Sequence, residues 1–499
     1  MHVNGHGRRH EWLMINRLWW LLVALLLSRW VTMAVLPLTD TSEARYAEIA
    51  RLMAVSGDWI TPWFRERIPF WGKPPLSFWA QASALNLLPG REFAPRFPAW
   101  LAHLGTVWLI SRYALVLAGR HRALWTALIY SSMGLVYVCA GAVLTDGFFT
   151  LGTTASLVSA GLALRGEARG WRWLFFVGLA IGLLAKGPLT LVLVGAPLGG
   201  WVLWTGRWRS LWRALPWWWG GALTLLLTLP WYLAAEVKTP GFLDYFIVGE
   251  HISRFLDPGW AGDRYGSAHD QPRGTIWLLW FWAALPWSPV ILWRLIQRLR
   301  RHCVARAGRQ LDDDQKLLLL AALVPVVFFT FSGNILATYV LPGLPFAALL
   351  LAMGGGTEHP ARRVIWRVLV VLLPALALSG GLYVWRYPQT LKTEKTLIQC
   401  YRAAAASASQ SLIYIGEAPF SARYYGRGQV VEMTLEHWLA QAGKPPGDAM
   451  FVAVRKRLVG PLRDRSPIPL VAPPLFADVR LGAGYPFGVA LRRCLTLLW

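Results

Sequence analysis

The stretch LTDTSEARYAEIARLM, residues 38–53, puts Asp40, Glu43, Arg45, Tyr46 and Glu48 directly after an apolar run. A connecting loop needs solubility, not this density of groups able to move protons and hold charge. Elsewhere Asp146, Lys73, Lys186, His251, Arg254 and Tyr339 stand at or near the ends of apolar stretches. These residue types suit transfer from a phosphate-linked donor. A carboxylate takes the proton from an acceptor hydroxyl. Lysine and arginine neutralise a departing phosphate, lysine as a point charge and arginine through a two-pronged contact. Phosphate leaves readily, so the leaving side needs charge stabilisation more than a proton donor. Each residue also has a plainer reading. Glu43 suits the positive end of a helix dipole, Asp40 a helix cap, Asp146 the cap of an apolar helix, and Lys73 and Lys186 the anchoring of span ends.

The elements that must position these groups are membrane-spanning. The chain has 499 residues, 55% hydrophobic and 15% charged, with mean hydropathy +0.40. A soluble domain carries about 25% charge. Several apolar stretches are long enough to cross a hydrocarbon core of about 30 Å. The first, near Trp19 to Val35, is too long for a signal peptide and lacks a small-residue cleavage site, so it reads as a span. The net charge of +24 is mostly arginine in short loops between apolar runs. That pattern marks loops facing anionic lipid and excludes nucleic acid as the partner. Many of the 31 tryptophans sit at span ends, as interfacial rings do. The four cysteines form no CxxC.

Spans are expected near 17–37, 95–118, 123–141, 143–164, 172–185, 187–204, 214–235, 274–294, 316–333, 335–354 and 364–385, about eleven in all. With this set the clusters around Arg8 and Arg17, Arg120 and Arg122, Arg165 to Arg172, Arg207 to Arg213, Arg294 to Arg309 and Arg362 to Arg367 fall on one side. The positive-inside rule makes that side, and the N-terminus, cytoplasmic. The other side receives the loops 38–94 and 236–273, short turns at Asp146, Lys186 and Ser332 to Thr338, and the tail from 387. Ionisable groups at span ends are costly and become functional suspects.

Within the first loop, residues 42–56 read as a helix. Thr41 or Ser42 caps it, and Tyr46, Ile49 and Met53 form one apolar stripe, expected to lie in the membrane interface. Glu48 and Arg45 suit a structural network holding the loop. WITPWFRERIPFWGKPPLSFW reads as a loop with short interfacial pieces. In the tail, SLIYIGEAPFSARYYG and AMFVAVRKR are β-type runs with a helical TLEHWLAQAG between them, giving a small α/β domain. An oxidising compartment would suit a disulfide between Cys400 and Cys494.

EARYAEIARLM, SGDWITPWF, FWGKPPLSFW, EFAPRFPAW, AVLTD, LLAKGP, EHISRF and TYVLPGLPFAALLLA, in that order over residues 17–355, resemble bacterial members of the protein O-mannosyltransferase and lipid A aminoarabinose transferase superfamily. The resemblance implies an integral-membrane glycosyltransferase of the GT-C fold that uses a polyprenyl-phosphate sugar. It implies a catalytic carboxylate in the first loop, which falls on Glu43 with Asp40 as the alternative, and a second acid, Asp146. It points to Lys73, Arg254 and Tyr339 for the carrier phosphate. Lys186 joins them as a further cation, and Arg45, Tyr46 and His251 line the substrate loop. Close relatives of the aminoarabinose enzyme have Asp-Glu where this chain has Ser42-Glu43. They have Glu where it has Gly72, and a basic residue where it has Asn334-Ile335.

The expectation is therefore a mainly α, polytopic inner-membrane protein of GT-C type, with a transmembrane domain over 1–386 and a periplasmic α/β domain over 387–499. It would move a monosaccharide from undecaprenyl phosphate to a periplasmic lipid A, glycan or protein acceptor by inverting single displacement. The carboxylate and histidine set lacks convincing metal spacing, and no cofactor is assigned, though a divalent ion is compatible with it. The alternative is a flippase for lipid-linked sugars without bond chemistry, which would place charges at the bilayer midplane on repeat-related broken helices.

Overall fold

The computed structural model describes residues 5–88, 90–266, 269–305, 311–354, 360–387, 390–404, 412–441, 451–455 and 487–491. Helices occupy every expected span position. Among the described residues, five helices are long and apolar enough by themselves to cross a membrane: Trp12–Val35, Phe93–Ser131, Asp146–Leu164, Trp217–Lys238 and Arg363–Arg386. A sixth candidate is a pair, Thr275–Ala283 and Ser288–Arg300, bent by 111°. The other positions hold shorter or broken helices. Residues 93–131 are interrupted at Gly119, whose φ of 80° and ψ of 177° no helix contains. The expected third span is thus the end of this helix plus the short Gly134–Cys139. At 337–353 a 3-10 turn, Ala337–Gly343, leads into Leu344–Met353.

Two adjacent helices set the geometry of the site. Asp146–Leu164 and Gly170–Lys186 pack with their backbones in contact, because Gly152, Gly178 and Gly182 line the seam. A β-carbon on Gly152 would lie 2.5 Å from the backbone nitrogen of Gly182. Small residues let helices approach where lipid gives no hydrophobic drive between them. This seam fixes the first residue of one helix, Asp146, beside the last of the other, Lys186.

The loops that sequence expectation places on one side do meet. Arg165 pairs with Asp314 at 2.7 Å and Arg207 with Asp313 at 3.0 Å, while Arg122 and Arg294 donate to the carbonyls of Ala352 and Leu351. The site loops gather at the other end of the bundle.

There the first loop and the tail share one hydrophobic core. Helix Ser42–Ser56 is followed by a hairpin, β1 (Trp63–Arg65) and β2 (Ile68–Pro69), and by helix Leu76–Leu87. The tail forms a four-stranded sheet of β3 (Leu412–Ile415), β4 (Val430–Met433), β5 (Phe451–Arg455) and β6 (Phe487–Leu491) in the order β4-β3-β5-β6. β3 is parallel to both its neighbours, and β6 is antiparallel to β5. Tyr46, Ile49, Met53, Phe70 and Phe78 from the first loop are buried in one cluster with Ile398, Tyr401, Tyr414, Tyr424 and Tyr425 from the tail. This corrects the expected interfacial helix. Its apolar stripe is covered by protein, and Ile49 and Met53 are fully buried. The rest of the first loop and the tail together supply the apolar cover that the sequence pattern assigned to lipid. Cys494 lies outside the described residues, so the pairing with Cys400 does too.

Candidate active site

Asp146 and Lys186 form a buried ion pair, with Nζ 2.6 Å from Oδ1 and side chains 9% and 8% exposed. Three further contacts hold Lys186. Its ammonium lies 5.1 Å from the centre of the Tyr339 ring and 5.4 Å from that of Phe149. Its carbonyl is 2.9 Å from Nε2 of His251, whose Nδ1 is 2.7 Å from the carbonyl of Phe246. Both partners of the histidine are carbonyls; burial lowers its pKa, and the neutral ring has one N–H, so it donates to one of them where the turn after Lys186 meets the segment 244–253, which is wound as a π-helix. That turn needs glycine. Gly187 has a φ of 75°, and a β-carbon there would sit 2.6 Å from the Phe246 ring.

One residue before His251, Glu250 joins two cations. Lys73 reaches it at 3.1 Å from the first loop, and Arg254 at 3.1 Å from one turn onward. Arg254 also pairs with Asp263 at 3.4 Å. Burial works against the Glu250 charge, but Lys73 and Arg254 outweigh it and hold the carboxyl below the usual carboxylate range. Lys73 is likewise opposed by burial and raised by Glu250. Tyr339 is close enough to act electrostatically on both Lys73 and Arg254. The side-chain nitrogen of Asn334 donates to the carbonyls of Arg254 and Asp257, fixing the end of the π-helical segment. Asn334 thus anchors backbone, where the sequence comparison suggested a missing charge.

Glu43 lies beside this group. Its carboxylate accepts a two-pronged contact from Arg96, at 2.8 Å to each oxygen, and further hydrogen bonds from the backbone of Thr39 and of Val143, three residues before Asp146. Arg96 also donates to the carbonyls of Met33, Leu36 and Pro37. Burial penalises the Glu43 charge, yet Arg96 and these hydrogen bonds keep its carboxyl below its ordinary value. Such a group is a firm anchor and a weak base. Asp40 faces away, into the tail. Its carboxylate accepts from the backbone nitrogen and the hydroxyl of Ser421, and burial pushes its pKa above the ordinary carboxylate value. Arg45 donates to the carbonyl of Tyr265 and lies 5.3 Å over the Tyr46 ring, which is wedged against Phe70 and Phe78. Glu48 pairs with Arg51 at 2.6 Å rather than with Arg45.

The structure therefore gathers Asp146, Lys186, His251, Tyr339, Lys73 and Arg254 into one cluster, with Glu43 at its edge. Asp40, Arg45 and Tyr46 lie outside this cluster, in contact with Ser421, the carbonyl of Tyr265, and Phe70 and Phe78. Sequence reasoning missed Glu250, Arg96 and Asp263. Glu250 had a signal, an acid four residues before Arg254 and directly ahead of His251. Arg96 had one too, a cation within a proline-punctuated apolar run. Among the described residues no group of three or more His, Cys, Asp or Glu side chains could hold a metal ion. Position 72 is tight, since a β-carbon there would lie 3.0 Å from the Phe70 ring.

The family model for dolichyl-phosphate-mannose-protein mannosyltransferases matches residues 12–246. An undecaprenyl phosphate-alpha-4-amino-4-deoxy-L-arabinose arabinosyl transferase from Edwardsiella ictaluri is 32% identical over 333 residues, 64% of this chain and 56% of that protein. The enzyme of the same name from Aeromonas salmonicida is 30% identical over 361 residues, 69% of this chain and 63% of its own. The chain spans a little over half the length of the curated relatives it matches. Among solved structures, ArnT from Cupriavidus metallidurans bound to undecaprenyl phosphate superposes with a TM-score of 0.71 at 18% identity, over 94% of this chain and 97% of that one. The Archaeoglobus fulgidus oligosaccharyltransferase in its apo form gives 0.51 at 10% identity, over 88% and 70%. Over the matched parts the chain is similar to the protein mannosyltransferase family model and to the aminoarabinose transferases, and it shares the fold of the Cupriavidus protein.

Proposed function

We propose that this protein transfers a monosaccharide from a polyprenyl-phosphate carrier, of the undecaprenyl type, to an acceptor at the periplasmic face of the inner membrane. The observation that carries the reading is the convergence of Lys73 and Arg254, from different loops, on the single carboxylate of Glu250 beside the Asp146–Lys186 pair. Two cations sharing one buried acid are ready to exchange it for a phosphate. The relatives' names, and the undecaprenyl phosphate bound to the Cupriavidus protein, support the carrier. The arginine-rich loops support a cytoplasmic N-terminus and a periplasmic site.

In this reading the carrier phosphate takes the place of Glu250 on Lys73 and Arg254, with Tyr339 and Lys186 at its flank. As the acceptor attacks the sugar carbon, the bond to the phosphate oxygen breaks. The growing negative charge stays on the phosphate, where the cations already point. An acceptor hydroxyl needs a base. Glu43 is bound on both oxygens by Arg96 and Asp40 is tied to Ser421, so Asp146 takes the role, with Lys186 orienting it. An ionised phosphate acceptor needs none. Residues 1–386 form the transferase domain, and the tail from 387 is a periplasmic domain whose described residues pack on the first loop. A flippase is disfavoured because the charge cluster sits at one end of the bundle rather than at midplane.

The test is acceptor-dependent release of free undecaprenyl phosphate from a sugar-loaded carrier by purified protein. Lys73→Ala or Arg254→Ala should lower transfer by more than about 100-fold, as loss of a charge-stabilising donor does. Glu250→Gln should tighten binding of undecaprenyl phosphate several-fold, by removing the competing carboxylate. Unchanged binding in Glu250→Gln would remove the exchange step, and normal turnover in both cation variants would remove the reading.

A further inference from the structure

Where the tail sits on the start of the helix Phe93–Ser131, three arginines are gathered. Arg91 lies two residues before that helix. Arg402 belongs to the tail helix Lys395–Ala404, and Arg427 follows the short helix Phe420–Gly426 in a left-handed backbone conformation, φ 51°. Two consecutive tyrosines bring them together. The hydroxyl of Tyr424 donates to the carbonyl of Arg91 at 2.7 Å. The Arg402 guanidinium donates at 2.6 Å to the carbonyl of Tyr425, two residues before Arg427. Both tyrosine rings are buried. Burial, then the charges of Arg91 and Arg427, hold the Arg402 guanidinium below its usual pKa.

The carboxylates of this region are already taken. Glu92 pairs with Lys395 at 2.6 Å, Glu48 with Arg51 at 2.6 Å, and Glu432 with Arg423. Among the described residues none of the three arginines has a carboxylate partner. Like charges tied to one frame repel, and an anion between them removes that cost. The surroundings say where the anion comes from. Four residues before Arg91, Leu87 is 79% exposed. At the start of the helix the exposed Trp30 ring lies 5.6 Å from that of Phe93 and 5.2 Å from that of Trp100, and Phe93 lies 5.5 Å from Phe97. Aromatic rings clustered at the end of a span mark the headgroup layer. Arg91 is therefore level with lipid phosphates, and the tail brings Arg402 and Arg427 to it. With Tyr424 and Tyr425 buried, neither ring is free to cover a sugar face, so the trio fits a simple phosphodiester.

We propose that Arg91, Arg402 and Arg427 form a binding site for the phosphate of an anionic glycerophospholipid, which clips the tail to the first loop and to the membrane surface together. The guanidinium forks take the phosphodiester, and the acyl chains lie along Leu87 and the aromatic cluster. The site shares no residue with the Lys73, Glu250 and Arg254 cluster, and it stands without the transferase reading. It touches that reading at one point, since Arg96, which holds Glu43, is on the first turn of the same helix.

The test uses the full-length protein in nanodiscs of phosphatidylcholine, which carries its own cation, with or without phosphatidylglycerol. Melting temperature and native mass spectrometry of retained lipid are the readouts. Phosphatidylglycerol should raise the melting temperature of wild type and be retained in preference to phosphatidylcholine. Arg91→Gln, Arg402→Gln and Arg427→Asn should each weaken that retention about fivefold, the scale of one basic residue at an anionic lipid surface. Asparagine tolerates the left-handed backbone at 427, so this variant keeps the fold if the others do not. In phosphatidylcholine alone Arg427→Asn should melt no lower than wild type, because a repelling charge is gone. Unchanged retention of phosphatidylglycerol in Arg427→Asn, or a lower melting point for it without anionic lipid, would overturn the proposal. Inorganic phosphate should not reproduce the rise in wild type; if it does, the occupant is a free anion and the lipid assignment falls. Displacement of phosphatidylglycerol from the trio by bis-phosphorylated lipid A would sink it as well.

Discussion

Both ends of the helical bundle gather ion pairs, but those around Asp146 and Glu43 are buried and those at the far end are not. At the end that holds Asp146, the pair with Lys186 is 9% and 8% exposed, and the pair of Arg96 with Glu43 is 4% and 14% exposed. At the other end, Arg165 and Asp314 are 41% and 22% exposed, and Arg207 and Asp313 are 61% and 29% exposed. Solvated pairs contribute little to stability. Buried pairs cost several kcal/mol of desolvation per ion, and an apolar pair of equal volume often serves stability as well or better. The difference teaches where charge is kept for a reason other than holding helices together. It separates the proposed site from a latch, although both ends use the same residue types.

The contrast can be broken most directly at Arg96. Arg96→Ala leaves Glu43 buried without its partner and three carbonyls without their donor, and should cost about 3–5 kcal/mol. Arg165→Ala at the other end should cost less than about 1 kcal/mol. Thermal unfolding in detergent compares them, and equal losses would erase the distinction. A second variant set separates structure from chemistry at the buried end. Asp146→Leu alone strands Lys186 and should destabilise by a similar ~3–5 kcal/mol. Asp146→Leu with Lys186→Met should regain most of that stability while transfer stays down by about 100-fold or more, the size of a general-base contribution. Recovered transfer in the double variant would make the pair purely structural.

A third test is a pH dependence where tail and first loop meet. Burial and the neighbouring Asp40 push the Glu394 carboxyl up from 4.5 to about 8, against one lowering contact from Tyr414. Asp40 is itself raised by burial, opposed by Ser421 and Lys392. Groups raised on folding add stability that is fully present below the unfolded value and is lost as pH rises through the folded one. The melting temperature should therefore fall between pH 4.5 and 8, and Glu394→Gln should flatten that slope. A wild-type melting temperature that rises over the same interval would contradict the placement of these two acids. Glu43 has the opposite sign, since its carboxyl is depressed and its contribution is lost only on acidification.

Much of the site was legible in order but not in partnership. Asp146 and Lys186 stood out because ionisable groups at span ends are expensive, and they are indeed each other's partner. Lys73 and Arg254 were legible through their motifs, while the acid that joins them was passed over because it sat inside one of those motifs. Glu43 looked like a free carboxylate, and Arg96, 53 positions away, decides otherwise. The helix 42–56 was found with its stripe, but periodicity says only that one face is apolar, not whether lipid or protein covers it.

The sequence by itself determined the membrane character, the positions of the helices and the segregation of arginine-rich loops, because hydropathy and charge act locally along the chain and read out in order. Only the tertiary structure decided which carboxylates are tethered, which cations share one acid, and that the tail caps the first loop. Those outcomes depend on distances between residues far apart in the chain, set by close glycine seams and a shared core that no local pattern encodes.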